Sequence, residues 1–185
     1  MAGVSRGDGA RQRVLAAALE VLDETGLAGF TMEAVARRAG ASKATLYRRW
    51  PTTGALMIDA MDATFRPFPA PDTGRVATDV AEILSAFVTM LEQTPFPRLL
   101  AAFIDAAERD PALASLHADL THRRREPLLA VLSRARDRGE LPADSDPELT
   151  TDLLTSPFFY RRFVAHRPIP PTLVDDVIAR VLLRP

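Results

Sequence analysis

The chain of 185 residues has no cysteine. Disulfides, thiolate catalysis and cysteine-ligated zinc are thereby excluded, and a reducing compartment fits. Aromatic residues amount to only 6%, alanine and leucine are plentiful, and alternating β-branched runs are almost missing. That balance predicts an all-α protein. No stretch approaches the roughly 18 consecutive apolar residues of a membrane span. The apolar pattern of the N-terminal segment is interrupted by Glu20 and Asp23, with no small-residue cleavage site behind an apolar block, so it does not read as a signal peptide. A cytoplasmic protein without membrane association is the expectation.

Catalytic signatures are missing as well. The three histidines are His117, His122 and His166. His117 and His122 are five apart, the wrong spacing for one helix face, and no HExxH pair exists. There is no Walker loop, GxGxxG or GxSxG. Asp105 and Glu108, three apart beside Arg109, read as a salt-bridged surface. The expectation is a protein that is not an enzyme and that uses no cofactor or metal. Lysine is nearly absent too, with Lys43 the only one. Arginine excess accompanies an alanine-rich composition, so arginine number alone carries no functional meaning. Placement carries more. Residues 1–50 hold eight Arg/Lys against five Asp/Glu, a balance of +3, whereas residues 51–185 hold fifteen against nineteen, or −4. A mildly basic head on an acidic body suits local contact with a polyanion.

What is present is helical periodicity. Val14, Leu15, Ala18, Leu19 and Leu22 predict an amphipathic helix over about Ala10–Thr25, stopped by Gly26. Thr31 is placed to cap a short second helix, MEAVARRA, with Glu33 in its first turn, and Gly40 ends it. Ser42 caps a third, KATLYRRW. Pro51 cannot continue it, and a fourth begins near Thr52 or Thr53. Two short helices joined by Gly40-Ala41-Ser42 form a helix-turn-helix. Leu46 and Trp50, four apart, face the core, which leaves Lys43, Ala44, Thr45, Tyr47 and Arg48 outside. Lys and Arg neutralise phosphates, and the Thr45 and Tyr47 hydroxyls can donate to phosphate oxygens. Arg48 or Lys43 can reach a base edge, and the small Ala44 admits the groove floor or a thymine methyl. The same pattern also describes a hydrated basic hairpin, that is, a helical protein-interaction module with no specific DNA target. A steep loss of affinity with salt separates the two, because it marks phosphate contact.

The stretch FTMEAVARRAGASKATLYRRWPTTGALM resembles the TetR family of bacterial transcriptional repressors, and the resemblance runs over about residues 10–65. It takes in the Gly26 stop, the Phe30-Thr31 entry, the Ala36/Ala39/Gly40 turn and TLYRRW at 45–50. It implies a three-helix DNA-binding head with the third helix in the major groove. Carried over by residue, the DNA-contacting set is Thr31, Ser42, Lys43, Ala44, Thr45, Tyr47, Arg48, Arg49 and Thr53. Thr31 would bond a phosphate from a helix N-terminus. Lys43, Ala44 and Thr45 would meet bases and the nearby backbone. Tyr47, Arg48 and Arg49 would bind phosphates, Arg48 also reading a base. The family's lysine at the start of the fourth helix is replaced here by Pro51-Thr52-Thr53-Gly54. Thr53 and the helix N-terminal amides would stand in for it, with weaker non-specific affinity.

The proline-rich RPFPAPDTG, 66–74, reads as an extended connector between a DNA-binding domain at 1–66 and a second helical domain at 72–185. Further helices are expected over Val76–Glu92 and Arg98–Arg109, and from Pro111 to Gly139 with a kink or split at Pro127. One more runs from Pro147 through SPFFYRRFVAH, and a last from about Pro171, making about nine in all. The final two carry apolar residues on more than one face, so a second copy of the chain can cover one of them. Leu153, Phe159, Phe163, Val174, Ile178 and Val181 are the expected dimer residues, an assignment the resemblance supports. The resemblance also implies a ligand cavity in the body, for which Phe87, Met90, Leu91, Phe103, Ile104, Leu116, His117, Leu120 and Phe158 are candidate walls. Most serve equally as ordinary core, and His117, the polar candidate, equally as a surface residue. The expected partners are thus an inverted-repeat DNA operator, a second copy of the chain and an unidentified small-molecule effector.

Overall fold

A computed structural model describes residues 6–64 and 68–182. Residues 66 and 67 of the expected connector, and the outer ends of the two expected domains, lie outside the described residues. The described chain is all-helical. Its helices are α1 (Arg6–Gly29), α2 (Met32–Ala39), α3 (Lys43–Arg49), α4 (Thr53–Thr64), α5 (Val76–Gln93), α6 (Phe96–Ala107), α7 (Pro111–Asp137), α8 (Pro147–Phe159) and α9 (Leu173–Val181). A π-helical turn, Tyr160–Val164, follows α8 directly.

Local chemistry explains most boundaries. Asp146 caps α8 by accepting from the Glu148 and Leu149 N–H groups, and Pro147 occupies the first turn, where no backbone donor is needed. Residues 68–75 are non-helical, as their prolines require. The start of α5 has no side-chain cap of its own. Glu140, 64 residues away, supplies one by accepting from the Val76 N–H at 2.7 Å. That bond, with Arg138 beside it, holds the Glu140 carboxyl below its ordinary range.

Several expectations are corrected. The Gly26 stop is a break rather than an end: φ 63° and ψ −169° interrupt α1 there, and a last turn to Gly29 continues on the far side. Phe96 and Pro97 belong to α6, which starts two residues before Arg98, because Pro97 costs nothing in a first turn. Pro127 does not split α7, which runs unbroken to Asp137. Leu128, Val131, Leu132 and Ala135, all buried just beyond it, carry the helix through the lost hydrogen bond. The expected helix through SPFFYRRFVAH is shortened instead. Pro157 removes the donor to the Leu153 carbonyl, and three residues on the ladder widens, the Ala165 N–H reaching the Tyr160 carbonyl at 2.8 Å. Finally, α9 begins at Leu173, behind Pro170 and Pro171.

The described chain groups into two compact units. The first holds α1–α4 together with residues 95–121, and the second holds the segment up to Thr94 that carries α5 together with the chain from His122 onward. In the first, Leu15 and Ala18 of α1, Val35 of α2, Leu46 of α3 and Leu56 and Met61 of α4 are fully buried. Each of the Leu, Val and Met side chains among them contributes roughly 1.5–3 kcal/mol of transfer free energy. In the second, Val80, Leu84 and Leu91 of α5, Val131 and Leu132 of α7, and Leu154 and Phe158 of α8 are buried. The Phe87 ring stands edge-on to Phe158 with centroids 6.2 Å apart. Among the described residues no helix is long and apolar enough to cross a membrane.

Candidate nucleic-acid interface

The interface is built on two capped helices and the turn between them. Thr31 has extended backbone, φ −126° and ψ 153°, and accepts from the Ala34 N–H at 3.1 Å, which starts α2. α2 ends at Gly40, whose φ of 62° lies in the left-handed region open to glycine. The Ala41 N–H returns to the Ala36 carbonyl at 2.9 Å and the Gly40 N–H to Arg37 at 3.3 Å, a paired closure that sets the exit direction of the chain. Ser42 then caps α3, accepting from the Thr45 N–H at 3.1 Å, and its Oγ lies 2.9 Å from Thr45 Oγ1. All of this is local, and it aims α3 before any distant contact forms.

At 3.6 residues per turn, α3 divides into faces. Leu46 and Trp50 share the inner one and are buried, at 0% and 5% exposure. Ala44 and Arg48 lie opposite. Lys43 and Tyr47 make one flank, Thr45 and Arg49 the other. Lys43, Ala44, Thr45, Arg48 and Arg49 are exposed, as are Thr31, Ser42 and Thr53, and Tyr47 shows 52% of its surface. Thr52 rather than Thr53 caps α4, accepting from the Ala55 N–H at 3.1 Å. The Thr53 hydroxyl therefore stands at the first turn of α4, beside its free amides.

Two elements of this head escape sequence reasoning. The Lys43 ammonium pairs with Glu33 at the start of α2, 2.8 Å apart. The hydrogen bond between them raises the Lys43 pKa and lowers that of Glu33. Both ends are exposed, so a phosphate can replace the carboxylate. The second element is Asp59 of α4. Its Oδ2 accepts from the Trp50 indole Nε1–H at 2.8 Å, and its Oδ1 accepts from Arg11 Nη2 at 2.5 Å. One carboxylate thus ties the end of α3 to α4 and α1. Asp59→Ala should lower stability by about 1–2 kcal/mol, since the group is partly solvated. A fall of roughly 2–8 °C in the thermal midpoint is expected by calorimetry. An unchanged midpoint would mean that Trp50 packing alone anchors the helix end.

The candidate residues of the body fall into both compact units. Phe87, Met90, Leu91 and Phe158 lie in the second, and Phe103, Ile104, Leu116, His117 and Leu120 in the first. Phe87, Leu91, Phe103, Leu120 and Phe158 are buried, Met90, Leu116 and His117 half-buried, and Ile104 exposed. The His117 ring stands edge-on to Phe103 at 5.2 Å, and burial lowers its pKa. Of the expected dimer residues, Leu153 is 52% exposed; Phe159, Phe163, Val174 and Val181 are half-buried, and Ile178 is buried within its own chain. Among the described residues no group of three or more His, Asp and Glu is gathered as a metal site.

A capped helix with a basic, hydroxyl-bearing outer face, set on a second helix through a glycine turn, defines a helix-turn-helix protein of the DNA-binding class. Family models agree. That of the bacterial regulatory proteins of the tetR family matches residues 14–60, and that of the tetracyclin repressor-like C-terminal domain matches residues 70–181. The chain belongs to the TetR family and is a DNA-binding transcriptional regulator. It is 35% identical over 189 residues to the DNA-binding transcriptional repressor TetR of Mycobacteroides abscessus, covering 98% of each chain. It is 31% identical over 180 residues to the regulator AqdR of Rhodococcus erythropolis, covering 96% of this chain and 86% of that one. Among solved structures, the TetR family transcription regulator SCO0332 is 34% identical with a TM-score of 0.77, covering 94% of this chain and 96% of that one.

Proposed function

We propose that the chain is a repressor that binds an inverted-repeat operator as a homodimer and is released when a small molecule binds its second domain, 72–185. The observation that carries the reading is the division of α3, with Leu46 and Trp50 buried and Ala44, Tyr47 and Arg48 exposed. Thr31, Ser42, Lys43, Ala44, Thr45, Tyr47, Arg48, Arg49 and Thr53 form the DNA-contacting set, phosphate contacts setting the register and base contacts the specificity. Such a protein works in the cytoplasm, on the chromosome.

The dimer reading is supported by an apolar stripe. Leu149, Leu153, Tyr160 and Val164 are exposed by 56, 52, 60 and 65%, and they follow one another at four, seven and four residues along α8 and its π-helical turn. A stripe of this kind invites a second copy about a two-fold axis. Two heads would then meet the duplex about one turn apart, roughly 34 Å, or a multiple of it. A ligand that binds the DNA-free arrangement more tightly shifts the equilibrium, with a coupling of about 1–3 kcal/mol.

The test is footprinting of the purified protein on DNA flanking its own gene. A protected inverted repeat is the expected result. Absence of protection even at about 50 mM salt, where phosphate contacts are strongest, would reject the reading.

A further inference from the structure

Between α1 and α3 the first compact unit contains an open cleft of about 410 Å³. Arg11 and Arg13 enter it from α1, Thr45, Arg48 and Arg49 from α3, and among the described residues no carboxylate lines it. Two of the four guanidinium groups are engaged: Arg11 is held by Asp59, and Arg49 lies over the Trp50 ring at 5.7 Å. The Arg13 and Arg48 side chains are exposed and make no hydrogen bond or ion pair among the described residues. Several other cations of the same unit are paired, though among the described residues Arg37 is not. Arg38 holds Glu20 and Glu24, Lys43 holds Glu33, and Arg98 holds Asp23. Gathering unmatched like charges around a concave surface costs free energy, and that cost is offset when an anion enters.

We propose that this cleft binds a phosphate of the DNA backbone, and that Arg13, on α1 and outside the helix-turn-helix, is a DNA-contact residue. The proposal rests on the DNA-binding reading of α3. With Ala44 and Arg48 turned to the groove floor, a helix in a groove about 12 Å wide has a backbone strand on each side. One flank of α3 faces the start of α2, where Lys43 and Thr31 serve. The other flank, Thr45 and Arg49, opens on the α1 cleft. The cleft adjoins the start of α3, and guanidinium groups supply the charge there. Their fork meets two phosphate oxygens at once, and the Thr45 hydroxyl can donate to a third. Such a contact fixes the position of the head on the duplex and carries no sequence information.

The experiment measures fluorescence anisotropy of wild type, Arg13→Gln, Arg13→Lys and Tyr47→Ala on the footprinted operator and on a scrambled duplex, from 50 to 200 mM salt. Because Arg13 is exposed and unpaired, the thermal melts of its variants should coincide with wild type. Arg13→Gln should weaken both duplexes by the same factor. It should also lower the slope of log affinity against log salt by about 0.9 per head, so that its disadvantage shrinks about 3.5-fold per head across that range. Arg13→Lys should restore most of the slope. If Arg13→Gln matches wild type in affinity and slope while Tyr47→Ala loses operator binding, the cleft proposal falls and the DNA reading stands. A loss confined to the operator would also overturn it, because it would mark a base contact. If wild type binds neither duplex, the DNA reading fails and takes the cleft with it.

Discussion

Arg48→Ala should remove operator selectivity while leaving the helical content and the thermal midpoint unchanged. Arg48 is exposed on the face of α3 opposite Leu46 and Trp50, and its side chain has no partner among the described residues. Its loss leaves no buried group unsatisfied. A good bidentate base contact is worth about 1–3 kcal/mol of discrimination. Two heads double that to about 2–6 kcal/mol, on the order of 30-fold to 10⁴-fold in affinity. Tyr47→Ala should act in the same direction through the lost hydroxyl contact. Gel-shift titration against operator and scrambled DNA measures the effect, and circular dichroism checks the fold. Unchanged operator affinity in both variants would remove α3 from the interface.

Leu153→Glu combined with Val164→Glu should produce monomers. Both side chains are more than half exposed, so a carboxylate at either is solvated in the separated chain and buried only in a dimer. Sedimentation equilibrium should show half the wild-type mass with undiminished helix content. Operator affinity should fall with it, by about 10²–10⁴, as the second head loses the high effective concentration that linkage to the first provides. Ile178→Glu is a poorer probe. Ile178 is 5% exposed in its own chain, so a charge there would disrupt the core of the second unit whether or not a dimer forms. A double variant that still sediments as a dimer would place the interface elsewhere.

Much of the head is legible in the residues alone, because the forces that shape it are short-range. Thr31 and Ser42 cap, Gly40 turns, and Leu46 pairs with Trp50 one helical turn away. Each of these interactions spans no more than five residues, so periodicity and cap chemistry are enough. The same holds for Asp146-Pro147 at the start of α8. The misread boundaries share a different cause. Gly26, Pro97, Pro127 and Pro157 are all helix-breaking residues by propensity, and their outcomes differ. Pro97 falls in a first turn, Pro127 is followed by a buried apolar run, and Pro157 leads into a widened turn whose Tyr160 and Val164 are exposed. Propensity sets the local cost, and burial decides whether the helix continues.

The amino-acid order on its own therefore determined the all-helical class, the helix-turn-helix and the outward chemistry of its third helix, since these follow from hydrogen bonds and side-chain periodicity within single turns. Only the tertiary structure decided what distant residues do to that helix. It brought Asp59 to both Arg11 and Trp50, set Glu33 against Lys43, and gathered Arg13 with Arg48 around one cleft. Those encounters join positions from nine to 48 residues apart, and no local pattern encodes which charged side chain will find which partner once the helices pack.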